Sequence, residues 1–224
     1  PYTSDRKNYI IYNKGSLDTD YGNFECSTDS EINSVSQRAN TKLDLVDTND
    51  QKLRTYRLAL SSTGEYSSIF AGSGSESEQK ANVQAQMAIT INRVNEIYER
   101  DLAITLQFVA NNDDIIYLDA ATDPWDNEYH YATQTEIDTT IGSDYYDIGH
   151  NFNISGGGNA GCIGCVCTDG IKGRGWTGSL NPTGDAFDID YVSHEMGHQF
   201  GGRHTMNFCF RDSNGSTTVE PGSG

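Results

Sequence analysis

The sequence predicts a mixed α/β (α+β) fold, and three consecutive segments carry that expectation. Residues 54–60 alternate, with Tyr56, Leu58 and Leu60 on one face, which is the period of a strand. Residues 78–100 form a long helical segment, with Ala81, Ala85, Ala88, Ile91, Val94 and Tyr98 recurring at three- and four-residue intervals as one stripe. Residues 102–110 alternate again through Ile104, Leu106 and Phe108. A strand, a long helix and a strand in succession argue for a right-handed crossover, hence for a sheet with parallel members.

Ahead of this unit, residues 7–12 read as a short strand, and Gly15, Asp18, Asp20, Gly22 and Asn23 as turn formers after it. From residue 27 to 50 the chain is polar, rich in Ser, Thr, Asn and Asp, and reads as a loosely held linker. Ser75 and Glu78 have the spacing of a capping box at the start of the long helix. Residues 115–118 read as a short strand, 123–127 as a loop and 134–141 as a short helix. Residues 146–152 are apolar and read as a central strand, and His150 within them as a hydrogen-bonded core histidine. His130, between Tyr129 and Tyr131, reads as a surface or loop residue. The glycine-rich stretch 156–161 cannot pack a layer of side chains and suits close approach of backbone to backbone. Residues 181–184 read as a turn, followed by a helix starting near Asp188 or Asp190. Asp185, Asp188 and Asp190 put negative charge at that helix's positive end.

Residues 194–204 read His-Glu-Met-Gly-His-Gln-Phe-Gly-Gly-Arg-His. His194 and His198 are four apart, so on a helix they project from nearly one face and can share one Zn²⁺. Glu195 is turned roughly 100° from His194, where it can take the proton of a zinc-bound water without ligating. Gly201 permits a left-handed break that doubles the chain back and brings in His204 as a third ligand. Three protein ligands leave one position open, the mark of a catalytic zinc site.

Composition bounds the partners. The net charge is −17 and the pI about 4.4, a surface that repels nucleic acid and anionic membranes. No apolar run approaches the roughly 18–20 residues of a membrane span. The acidity suits a soluble secreted protein and leaves carboxylates that can take Ca²⁺, although a solvated surface explains the charge as well. Pro1 begins neither a signal peptide nor a chain with its initiator Met, which reads as a processed or trimmed fragment. Of five cysteines, Cys162, Cys165 and Cys167 cluster while Cys26 and Cys209 stand alone. In a secreted protein disulfides are favoured over a second zinc, with one thiol left over.

The motif, with Tyr56–Leu60, residues 92–100, 146–150 and 184–194, resembles the metzincin zinc endopeptidases, in particular the reprolysin/adamalysin branch and its bacterial secreted members. The resemblance spans about residues 53–204. It implies a twisted, mostly parallel sheet on long helices, an active-site zinc helix and a small irregular C-terminal subdomain. His194, His198 and His204 would be the zinc ligands, Glu195 the general base, and an edge strand near Gly157 and Gly158 would pair with extended peptide substrates. The family carries a methionine turn downstream of the third histidine. Met206 follows His204 too closely for that role, so the C-terminal subdomain reads as truncated.

Residues 1–50 read as the tail of the enzyme's own pro-segment and 51–224 as the catalytic domain. Cys26 can occupy the open zinc position and hold the enzyme latent, or it can form a disulfide, for instance with Cys209. The leading expectation is a secreted zinc endopeptidase acting on extended protein segments. Its rivals are a latent zymogen form and a secreted calcium-binding module.

Overall fold

The computed structural model describes residues 26–28, 50–126 and 128–204, with the backbone of 210–211 and 217–218 besides. The strand expected at 7–12, the turn formers after it, most of the polar linker, Met206 and Cys209 lie outside the described residues.

β1 (Arg54–Ser62) divides two cores by its pleat. Tyr56, Leu58 and Leu60 face the larger core, and Ala59 faces a smaller one behind the sheet. α1 (Gly64–Phe70) and α2 (Glu76–Leu102) cover the larger core with Tyr66, Met87, Ile91, Val94 and Tyr98. α2 starts at the expected capping box: Glu78 N–H donates to Ser75 Oγ, and Ser75 N–H donates to the Glu78 carboxylate at 2.8 Å. It ends where Ala103 turns left-handed, at φ 54°, so the chain runs directly into β2 (Ile104–Phe108). β2 pairs parallel with β1, the arrangement expected of a crossover. The buried stripe of α2 differs from its expected phase in the first half. Val83 and Met87 are buried there, while Ala81 and Ala85 are exposed. Burial follows the larger apolar area available, and alanine contributes little.

Further along, residues 112–115 form a 3-10 turn and Ile116 makes only an isolated bridge to Ser62, so the strand expected at 115–118 does not form. Asn112 explains why. Its amide accepts from Leu60 N–H at 2.8 Å and donates to Leu60 C=O at 2.9 Å, taking the place of a neighbouring strand beyond the end of β2. Asn95 of α2 closes the outer edge of β2 in the same way, through both backbone groups of Leu106.

α3 (His130–Thr140) starts four residues before the expected helix and packs Ile137 into the smaller core. β3 (Ile148–Asn153) is buried throughout and lies centrally, parallel to β1 on one side and to β5 (Gly175–Gly178) on the other. β4 (Gly157–Asn159) pairs antiparallel with β5 and forms an edge, so the sheet order is β2-β1-β3-β5-β4. β5 is not expected from the sequence, because its Gly-Trp-Thr-Gly composition hides a strand. At Gly175 a Cβ would come 2.4 Å from both Gln199 Oε1 and His150 Nδ1. No helix among the described residues is long and apolar enough to cross a membrane.

Asn112→Ala leaves Leu60 N–H and C=O unpaired in the core. We expect a loss of about 2–4 kcal/mol in unfolding free energy by urea titration, with an unchanged fold by far-UV circular dichroism.

Candidate active site

One continuous helical run carries the histidines, and it begins earlier than expected. α4 (Gly184–Phe187) leads into a π-helical stretch (Asp188–Ser193) and then into α5 (His194–Gln199). The expected start at Asp188 or Asp190 is therefore corrected to Gly184. Asp185 keeps the expected place at the positive end of the helix, and two of the three aspartates make contacts that the sequence does not show. Asp185, in the first turn, pairs with Arg93 of α2 at 2.8 Å. Asp188 is buried inside the run and accepts from Thr90 Oγ at 2.8 Å. Phe187, Tyr191, Val192 and Met196 seat the run in the larger core.

At Gly201, φ is +103°, a value a side chain resists, and the chain reverses there. Gly202 N–H returns to Gly197 C=O at 2.9 Å. The reversal brings His204 back to α5. Nε2 of His194, His198 and His204 then lie 3.0–3.1 Å from one another. Nitrogens bound to one tetrahedral zinc at about 2.05 Å stand about 3.3 Å apart, so these three are close to the edges of such a site. His198 Nδ1 donates to Gly202 C=O at 2.7 Å, which leaves a lone pair on Nε2 of the neutral ring, and burial keeps that ring's pKa below the usual histidine value.

Glu195 is fully buried beside the three rings. Its Oε2 accepts from Thr28 Oγ at 2.9 Å, while Oε1 has no hydrogen-bond partner among the described residues. Burial pushes the carboxyl up to about 7. The side chain lies against the edge strand so closely that a Cβ on Gly158 would come 2.5 Å from Glu195 Cγ. Glycine at 158 is thus a steric requirement of the carboxylate, so the close approach here is of a side chain to the strand, where the sequence suggested backbone against backbone.

Cys26, Ser27 and Thr28 run along that same edge. Cys26 makes a parallel bridge to Gly158, and both N–H and Oγ of Ser27 donate to Gly158 C=O, at 2.9 and 3.0 Å. Ala160 N–H donates to Thr28 Oγ at 2.8 Å. Cys26 is a free thiol. Its Sγ lies 3.7 Å from His198 Nε2, near the roughly 3.6 Å that a sulfur and a nitrogen on one tetrahedral zinc would have. Burial first, then the Glu195 charge, pushes the thiol up to about 12. The ligand atoms of Cys26, His194, His198 and His204 all fall within 4.8 Å of one another. Among the described residues they form the only such group.

Thr28 is a site residue that the sequence does not single out. Its one signal is the two-residue spacing from Cys26, which on an extended segment turns both side chains the same way. The cysteine cluster resolves into a Cys162–Cys165 disulfide and a free Cys167. The disulfide loop holds the end of α5, with Gly164 N–H on His198 C=O and Cys165 N–H on Gln199 C=O, both at 2.9 Å. His130 is no isolated surface residue. Its Nδ1 lies 2.9 Å from Arg174 C=O, and Trp176 Nε1 donates to its Nε2 at 3.4 Å.

The family model described as metallo-peptidase family M12B, reprolysin-like, matches residues 52–224. The chain belongs to that family. No curated protein matches it at a significant level. An M12B metallopeptidase hydrolyses peptide bonds with a bound metal, and the five-stranded, mostly parallel sheet with its helices is the metzincin-like fold that this family implies.

In this metallopeptidase Gly158→Ala forces Glu195 away from the edge strand. Cleavage of a peptide library should fall by on the order of 10–100-fold while metal content by elemental analysis stays the same.

Proposed function

We propose that this M12B peptidase cleaves internal peptide bonds of extended protein segments at one zinc ion held by His194, His198 and His204. One observation carries the reading: three ring nitrogens converge at 3.0–3.1 Å beside the buried carboxylate of Glu195. Zinc bound there supplies Lewis acidity towards a water and the scissile carbonyl. The chain's own groups do the rest. Glu195 accepts the attacking water's proton and delivers it to the leaving amine. The main chain of Gly157, Gly158 and Asn159 on β4 aligns the substrate as an added strand. We read the protein as secreted, with its catalytic domain starting near residue 51.

Glu195→Gln should retain one zinc per chain and lose about 10²–10⁴-fold in kcat on a peptide library. Chelation should abolish cleavage by the parent and added zinc should restore it. Cleavage retained by the glutamine variant would remove Glu195 from the role of base.

A second reading concerns the same site in its latent form, and the run along β4 favours it. Cys26 stands at the fourth corner of the cluster while Ser27 and Thr28 cover the edge strand and Glu195. Residues 1–50 then act as the enzyme's own pro-segment, with Cys26 as an inhibitory ligand whose thiol would release its proton to solvent on binding a metal as the thiolate. Cys26→Ser and Thr28→Val should each raise the cleavage rate of the unprocessed chain, and together more than either alone. After proteolytic removal of residues 1–50 all these forms should cleave equally. Equal rates before processing would refute the latch.

A further inference from the structure

Gln199 follows the ligand candidate His198 directly, yet its side chain enters the sheet instead of the site. The amide is fully buried, and its hydrogen bonds define its orientation. Nε2 must donate, because it lies 3.0 Å from Gly149 C=O and 3.5 Å from Lys172 C=O. Oε1 is therefore an acceptor, and the atom facing it at 2.8 Å is His150 Nδ1. His150 must carry its proton on Nδ1, so its Nε2 is an acceptor and takes the Thr177 hydroxyl at 2.8 Å. One directed chain results, from Thr177 on β5 to His150 on β3, to Gln199 on α5, to the β3 carbonyl of Gly149. Burial holds His150 down at about 4, in keeping with a neutral ring.

The chain of bonds grips the helix at the point where the backbone must turn back towards His204. Gly164, Cys165 and Val166 N–H take the carbonyls of His198 and Gln199 from the other side, so the last turn of α5 is held by both its side chain and its main chain. Space at this junction is short, as the Cβ that Gly175 lacks would overlap both Gln199 and His150. We propose that His150 is a positioning residue for the peptidase site. Through Gln199 it fixes the end of the histidine-bearing helix against β3 and β5, and so sets where His198 and His204 present their ring nitrogens. The inference rests on those histidines holding zinc.

His150→Asn and His150→Leu test it in the full 224-residue chain. The two replacements are nearly equal in size and leave similar cavities, but asparagine keeps an N–H donor where Nδ1 stood. Zinc affinity by chelator competition, with zinc as the sole ligand, should fall on the order of 10–100-fold for leucine and stay within about threefold for asparagine. The visible spectrum of the cobalt-loaded protein should shift for leucine only. Equal losses in both variants, or none in either, would overturn the proposal in favour of a packing role. Absence of zinc binding by the parent would instead indict the metal site itself. Should the leucine variant not fold, the parent answers through the nitrogen-15 spectrum of its histidines. A protonated Nδ1 on His150 supports the proposal, and a protonated Nε2 with bare Nδ1 overturns it.

Discussion

The reversal of the chain at Gly201 is the constraint on which the rest of the site depends. Two histidines one turn apart need only a helix. A third within 3.1 Å of both needs the backbone to leave the helix at once and return. The positive φ of Gly201 makes the turn possible, and the Gly202 N–H bond to Gly197 C=O together with the His198 Nδ1 bond to Gly202 C=O close it. The second of these bonds also leaves the His198 lone pair directed into the cluster, so a single local turn sets both position and protonation.

That turn would be of little use on a helix free to slide. The helical run is seated by Phe187, Tyr191, Val192 and Met196 in the core beneath it, tied to α2 through Asp185 and Arg93, and clamped at its end by the disulfide loop and the His150–Gln199 pair. The π-helical stretch is tied to α2 as well, through Thr90 on Asp188 and Tyr98 OH on Ser193 C=O, and it leads into the turn bearing His194 and His198, where extra width in a helix redirects the side chains of the next turn.

The edge strand supplies the other half of the cleft, and its glycines have two separate consequences. Without a side chain at 158 the buried Glu195 can lie against the strand, and the main chain is left able to receive an extended segment. The segment found there is Cys26–Thr28 of the same chain, aligned parallel to β4 and hydrogen-bonded to its backbone and to Glu195. The contact reaches both the nitrogen cluster, through Cys26, and the carboxylate, through Thr28.

The histidine spacing, the glycine break and the capping box of α2 are legible in the sequence because each is a local relation: a helical period, a backbone conformation and a three-residue hydrogen-bond reciprocity. Alternation in residues 54–60 and 102–110 and the long helix between them likewise determined the parallel pair β1–β2. Nothing local marks β5, whose two glycines deny it a strand's composition, or the loss of a strand at 115–118, where a side-chain amide from Asn112 takes the pairing position. The start of the helix at Gly184 is hidden as well, since Asp188 looks like a cap until Thr90 of a distant helix is seen to hold it. Only the tertiary structure brought Cys26 and Thr28 to residues more than 160 positions away, gave His150 its tautomer and buried Glu195. Burial and hydrogen-bond partnership are properties of the assembled sheet and helices, and a residue's neighbours in sequence do not determine them.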